Sequence, residues 1–130
     1  MFELGVFRSG FHFTPRYPRT ELFPLQSVLF EELSGNGKTV AVATLNVPSS
    51  LNALTMDMVQ LLGEKLEAWQ ADESVACVVL RGAGDKAFCA GADLRELHHC
   101  MDSAQHGERL IFAERFFEWE YRLDYLIHTY

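Results

Sequence analysis

Residues 75–80, VACVVL, form an unbroken apolar and largely β-branched run. That is long enough for a buried strand and too short for a helix of ordinary length. A glycine-punctuated stretch follows, and a helical pattern restarts at Asp93. A buried strand, a Gly-rich loop and a helix N-terminus in succession place backbone N–H groups at the carboxyl end of a strand, where open α/β sheets take their ligands. Residues 82–93 are therefore the first place to look for a site.

Upstream, residues 27–33 and 39–46 are two β-prone segments around SGNGK. Asn36-Gly37 tolerates positive φ, so the pair predicts an antiparallel hairpin. In the second arm Val40, Val42 and Thr44 share one face and Ala41, Ala43 and Leu45 the other, a pattern suited to a central strand covered on both sides. Thr55 is placed as an N-cap, with Asp57 in the first turn. Met58, Leu62, Leu66 and Trp69 then recur at helical spacing until about Asp72. Strand, helix and strand make a crossover unit, for which a right-handed parallel connection is the default. A second helix starts at Asp93, and residues 105–127 carry the longest helical signal. Its stripe of Phe112, Phe116, Trp119, Leu123 and Ile127, broadened by Ala113, Phe117 and Leu126, is too apolar to face solvent and demands partners.

The length of 130 residues and 48% apolar content fit one globular domain. Residues 1–26 differ from the rest. They hold Pro15, Pro18 and Pro24, are slightly positive, and are rich in aromatics such as Phe7, Phe11, Phe13 and Tyr17. They read as an irregular N-terminal extension, since proline excludes a continuous helix or central strand. The formal net charge of −7 offers no basic stripe for nucleic acid. No run approaches the roughly 18–20 apolar residues of a membrane span, and no signal-peptide pattern opens the chain. Cys77, Cys89 and Cys100 are odd in number and lack paired metal-ligand spacing; Cys77 reads as a small buried hydrophobe. A reducing, cytoplasmic setting fits them.

Within residues 82–93, Gly82, Gly84 and Gly91 let the backbone approach a ligand, while Ala87, Ala90 and Ala92 keep side-chain bulk away. The first N–H groups of the following helix would point at an anion or at a carbonyl oxygen gaining charge. The stretch is neither a P-loop nor a GxGxxG fingerprint, and a purely structural tight turn is the competing reading. Asp93 reads as a helix cap rather than a catalytic acid. Cys89 has no general base near it in sequence. Arg81 and Lys86 are the local cations available to phosphates, or plain surface charge. Glu120 interrupts the apolar face of the last helix, where desolvation raises a carboxylate's pKa unless Arg109, Arg115 or Arg122 pairs with it; a boundary salt bridge and a site residue are both open. His98, His99 and His106 read as exposed polar residues, and no metal site is expected.

Three segments, AVATLNVPSSLNAL over 41–54, RGAGDKAFCAGADL over 81–94 and EWEYRLDYLIHTY over 118–130, resemble the crotonase superfamily, the enoyl-CoA hydratases and isomerases. The last segment is most similar to the 3-hydroxyisobutyryl-CoA hydrolase branch. The resemblance covers residues 27–130 and implies an α/β fold, a crotonase-like ββα spiral of which this is the N-terminal half. It implies an acyl-CoA substrate, with coenzyme A entering as part of that substrate and no separate cofactor. It makes the backbone N–H of Ala92 one of two oxyanion-hole donors, puts Ala53, Ala87, Cys89, Ala90 and Gly91 along coenzyme A, and matches Glu120 to a substrate-contacting glutamate. For the full-length protein it implies a homo-oligomer.

In the family the second oxyanion donor, a glycine, and the carboxylates that activate water come from a later segment. Losing one such donor typically costs about 3–4 kcal/mol of transition-state stabilisation. The expected function is thus acyl-CoA thioester hydrolysis by the whole protein, with these 130 residues inactive alone. The alternatives are an enoyl-CoA hydratase or isomerase, and a non-catalytic remnant that binds coenzyme A or another chain.

Overall fold

The computed structural model describes residues 26–103 and 108–130. The expected extension falls, but for Gln26, outside the described residues, as does His106. Strand β1 (Val28–Gly35) and strand β2 (Lys38–Leu45) are followed by a short 3-10 turn at Pro48–Ser50, helix α1 (Met56–Ala71), strand β3 (Val75–Gly82), helix α2 (Leu94–Ser103) and helix α3 (Glu108–Thr129).

The hairpin forms through the expected Asn36-Gly37 pair, whose φ values of 52° and 75° are both left-handed. Two positive φ values are what a type I′ turn requires. The turn is tighter than the five-residue loop expected, because Gly35 pairs with Lys38 and Ser34 with Thr39. The hairpin is antiparallel, and β3 adds to β2 in parallel. Among the described residues β2 is therefore the central strand of a three-stranded sheet ordered β1-β2-β3.

The register puts Val28 and Phe30 of β1, Ala41, Ala43 and Leu45 of β2, and Val78 and Leu80 of β3 on one face. Met58, Leu62, Leu66 and Trp69 of α1 join them in a single core. Glu32, on the same face, accepts hydrogen bonds from Trp69 Nε1 at 2.7 Å and from Lys65 Nζ at 3.0 Å. These bonds, the indole's first, hold the Glu32 carboxyl below its ordinary pKa. Phe30 meets the Trp69 ring edge-on at 5.6 Å, so the end of α1 is locked to β1.

Two expectations change here. β3, expected as a buried strand, leaves Ala76, Cys77 and Arg81 exposed, so Cys77 is not the buried hydrophobe expected. Its register partner Val40 lies on the face opposite Ala41, away from the α1 side. The apolar stripe of α3 is covered within the chain: Phe116, Trp119, Leu123, Leu126 and Tyr130 belong to the same core. Tyr130 donates from its hydroxyl to the Leu66 carbonyl at 2.8 Å, and burial pushes that phenol up to about 12. Phe117 instead points outward with Tyr121 and Tyr125. Among the described residues no helix is long and apolar enough to cross a membrane.

Candidate functional site: two loops and a helix at the strand ends

β2 and β3 run parallel, so their carboxyl ends lie side by side, and the loops leaving them meet. The first loop, residues 46–55, turns through Leu51 and Asn52, with left-handed φ values of 56° and 55°. The second, residues 83–93, folds back over Gly82. A Cβ there would lie 2.3 Å from the Phe88 carbonyl oxygen and 2.9 Å from that of Ala87. Gly82 is thus required for the close approach of its own loop rather than of a ligand, which at this position is the structural tight turn that competed with the ligand reading.

Between the loops is a cleft of about 270 Å³ lined by Pro48, Ser49, Leu51, Asn52, Ala83, Gly84, Asp85, Lys86 and Ala87. Lys86 is an exposed cation on its rim. Arg81 is not available there. Its Nη2 pairs with Glu31 at 2.7 Å and its Nε donates to Thr44 Oγ1 at 2.8 Å, on the sheet face opposite the core.

Further along, the loops join in a parallel bridge between Leu54 and Ala92. The N–H of Leu54 donates to Gly91 O and the N–H of Asp93 to Leu54 O, both at 2.8 Å. In a parallel bridge the middle residue's own amide faces away from its partner. The Ala92 N–H is turned in this way, away from Leu54. The expectation that the first turn of α2 supplies the free donors is corrected. Asp93 Oδ1 accepts from the N–H groups of Arg95 and Glu96 at 2.9 and 3.3 Å. Asp93 is the cap it reads as in the sequence, and the Ala92 N–H precedes the helix.

Cys89 is half-buried, and its Sγ accepts a long 3.4 Å bond from the Gly91 N–H. Burial pushes the thiol up; the Gly91 bond opposes this, and the carboxylates of Glu120 and Asp124 push it further up. A thiol held neutral is a poor nucleophile. Glu120 itself is half-buried on α3. The Leu54–Ala92 bridge joins the NAL loop, with buried Ala53, to the loop carrying Ala87 to Ala92. Ala90 and Gly91 lie exposed on it.

Burial raises the Glu120 pKa, and neighbouring Asp124 raises it further. Arg122 pairs with Glu118 at 2.8 Å rather than with Glu120. Of the other two candidate arginines, the Arg109 side chain lies outside the described residues. Between the ordinary glutamate value of 4.5 and the raised folded value, the native state holds more protons than the unfolded one. Stability therefore falls as pH rises through that window. Glu120→Gln removes this penalty, so its urea midpoint should exceed the parent's above the window and match it below 4.5. Equal midpoints at both ends would contradict the assignment.

Two residues escaped sequence reasoning. Glu96 Oε2 accepts from the Met56 N–H at 2.9 Å, so α2 caps α1 alongside Thr55, which accepts from Met58 N at 3.3 Å. Burial raises the Glu96 pKa, and the Met56 bond opposes it. No local signal marks a cap 40 residues distant in sequence. Asn52 is completely buried; the signal available was an asparagine in a proline-containing loop, a residue that tolerates left-handed backbone. Among the described residues no group of three or more His, Cys, Asp or Glu could hold a metal ion.

A family model described as enoyl-CoA hydratase/isomerase matches residues 40–130. The mitochondrial 3-hydroxyisobutyryl-CoA hydrolase of Danio rerio is 40% identical over 103 residues, covering 79% of this chain and 25% of that protein. The small ribosomal subunit protein mS47 of Arabidopsis thaliana is 37% identical over 107 residues, covering 82% of this chain and 25% of that protein. Among solved structures, a carnitinyl-CoA dehydratase from Mycobacterium thermoresistibile superposes with a TM-score of 0.62 at 38% identity, over 76% of this chain and 26% of that one. The chain thus spans about a quarter of the length of the curated relatives it matches. The matched region contains β2, the crossover, both loops and α3, and with them the chain belongs to the enoyl-CoA hydratase/isomerase family, as an N-terminal portion of the crotonase superfamily fold.

Proposed function

We propose that the two-loop site binds an acyl-CoA thioester, and that the chain supplies part of the active site of a thioester hydrolase acting on 3-hydroxyisobutyryl-CoA. The observation that carries this reading is the Leu54–Ala92 bridge, because it ties the two loops together and turns the Ala92 N–H away from Leu54, where it is available to a ligand. When water attacks a thioester carbon, charge gathers on the carbonyl oxygen, and a fixed donor there stabilises it without reorganisation. Collapse of that intermediate breaks the C–S bond and releases coenzyme A as the thiol. Ala92 is the donor. Glu120 contacts the acyl portion, while Ala53, Ala87, Cys89, Ala90 and Gly91 lie along coenzyme A, and Lys86 offers a cation to its phosphates. A second oxyanion donor and a water-activating carboxylate are expected from outside these residues.

The likeness to mS47 favours a second reading, in which the same fold serves another chain as an interaction module without turnover. A chimera separates the two. Residues 28–130 replace the matched region of the Danio rerio hydrolase, and 3-hydroxyisobutyryl-CoA and crotonyl-CoA are assayed with the chimera and with the 130-residue chain alone. Hydrolysis of the former by the chimera only is the expected result. Hydration of crotonyl-CoA would move the assignment to the hydratases, and inactivity of a folded chimera would favour the interaction module.

A further inference from the structure

Asn52 is fully buried in a loop, and its amide is used at both ends. Oδ1 accepts from the Val47 N–H at 3.0 Å, while Nδ2 donates to the carbonyl oxygens of Ala83 and Ala87, each at 3.0 Å. The first bond closes its own loop; the other two reach the opposite one. Both partners of Nδ2 are acceptors, so the position needs a side chain with donors and an acceptor on one short stem, which is asparagine's inventory. Its left-handed φ of 55° is also one that asparagine tolerates. The cleft lies between the loops that this amide joins. The Leu54–Ala92 bridge lies two residues beyond it on the first loop and five beyond Ala87 on the second.

We infer that Asn52 is a positioning residue: it sets the separation of the two loops and thereby the direction of the Ala92 N–H. The inference rests on the acyl-CoA reading for its functional consequence, but its structural part is testable without it.

Two variants of the full chain test it. Asn52→Asp keeps the shape and sets oxygen against the Ala83 and Ala87 carbonyls. Asn52→Gly keeps the left-handed backbone and deletes the amide, and it serves if the first variant fails to fold. Amide exchange is followed at Leu54 and Asp93, which hydrogen-bond across the loops, and at β1 and β2, together with titration by coenzyme A. Exchange at Leu54 and Asp93 should quicken by about tenfold while the hairpin stays protected, with a similar loss of coenzyme A affinity. Acidification protonates the introduced carboxyl and restores one donor. The Asn52→Asp defect should therefore shrink at low pH and the Asn52→Gly defect should not, a signature that general destabilisation lacks.

Unchanged exchange at Leu54 and Asp93, equal acceleration across hairpin and loops, or an Asn52→Asp defect indifferent to pH would each overturn the inference. If the parent chain does not bind coenzyme A, the acyl-CoA reading fails, and the exchange and its pH dependence still decide the role of Asn52.

Discussion

Gly82→Val should be among the most damaging single substitutions in the second loop, lowering stability by about 3 kcal/mol or more. The new Cβ would sit 2.3 Å from the Phe88 carbonyl oxygen, 2.8 Å from Asn52 Nδ2 and 2.9 Å from the Ala87 carbonyl oxygen. Two of these neighbours are backbone atoms, and the Ala87 oxygen is itself held by Asn52, so no flexible side-chain end can yield alone. The loop must lift, and lifting it breaks the buried amide bonds as well. Gly35→Ala is the control. A Cβ there has nothing within 4 Å, and the change should stay within about 0.5 kcal/mol. Urea unfolding of both variants checks the claim; equal midpoints would show that the loop does not pack over Gly82 in solution.

Phe116→Ala should cost about 3–5 kcal/mol, the range for emptying a fully buried aromatic site. Phe116 has 0% exposure and lies in the core that α1 shares with α3. The consequence reaches the site, because α3 carries Glu120 and Asp124 to the neighbourhood of Cys89. As α3 loosens, Cys89 loses burial, and its alkylation by iodoacetamide should quicken. Phe117→Ala is the comparison. Phe117 is 37% exposed and meets Phe116 edge-on at 5.6 Å, so truncation there should cost about 1 kcal/mol and leave Cys89 as slow as in the parent. A Phe116→Ala protein with parental stability and parental thiol reactivity would contradict the packing of α3.

Local chemistry made most of this fold legible. Asn36-Gly37 named the hairpin, Thr55 and Asp72 bounded α1, and Asp93 capped α2, each because a single residue type meets one backbone requirement. The alternation in β2 placed it at the centre of the sheet. Where reading failed, the deciding partner was distant in sequence. An apolar run such as residues 75–80 does not show which of its side chains a neighbouring element covers, so the exposure of Cys77 was hidden. The stripe of α3 showed that it needed covering but not that α1 and α2 of the same chain would cover part of it. Arg81, open in the sequence to a phosphate or to plain surface charge, pairs with Glu31 and Thr44 because register brings them beside it. For the candidate site, glycine and alanine spacing pointed to residues 82–93, one of the two loops that meet at the strand ends. What the spacing could not convey was the pairing of that loop with residues 46–55, which depends on the amide of Asn52 and on the bridge at Leu54.

If the two loops bind an acyl-CoA as proposed, the Ala92 N–H held between them faces the carbonyl oxygen of the bound thioester. The most direct measurement is an amide-resolved NMR titration of the 130-residue chain with a non-hydrolysable acyl-CoA in which a methylene replaces the thioester sulfur. Saturable shifts at Ala92, with companions at Ala87, Ala90 and Gly91 and a quiet hairpin from Val28 to Leu45, are the predicted result. No saturable shift at Ala92, or shifts confined to the outer face of the sheet, would contradict the account.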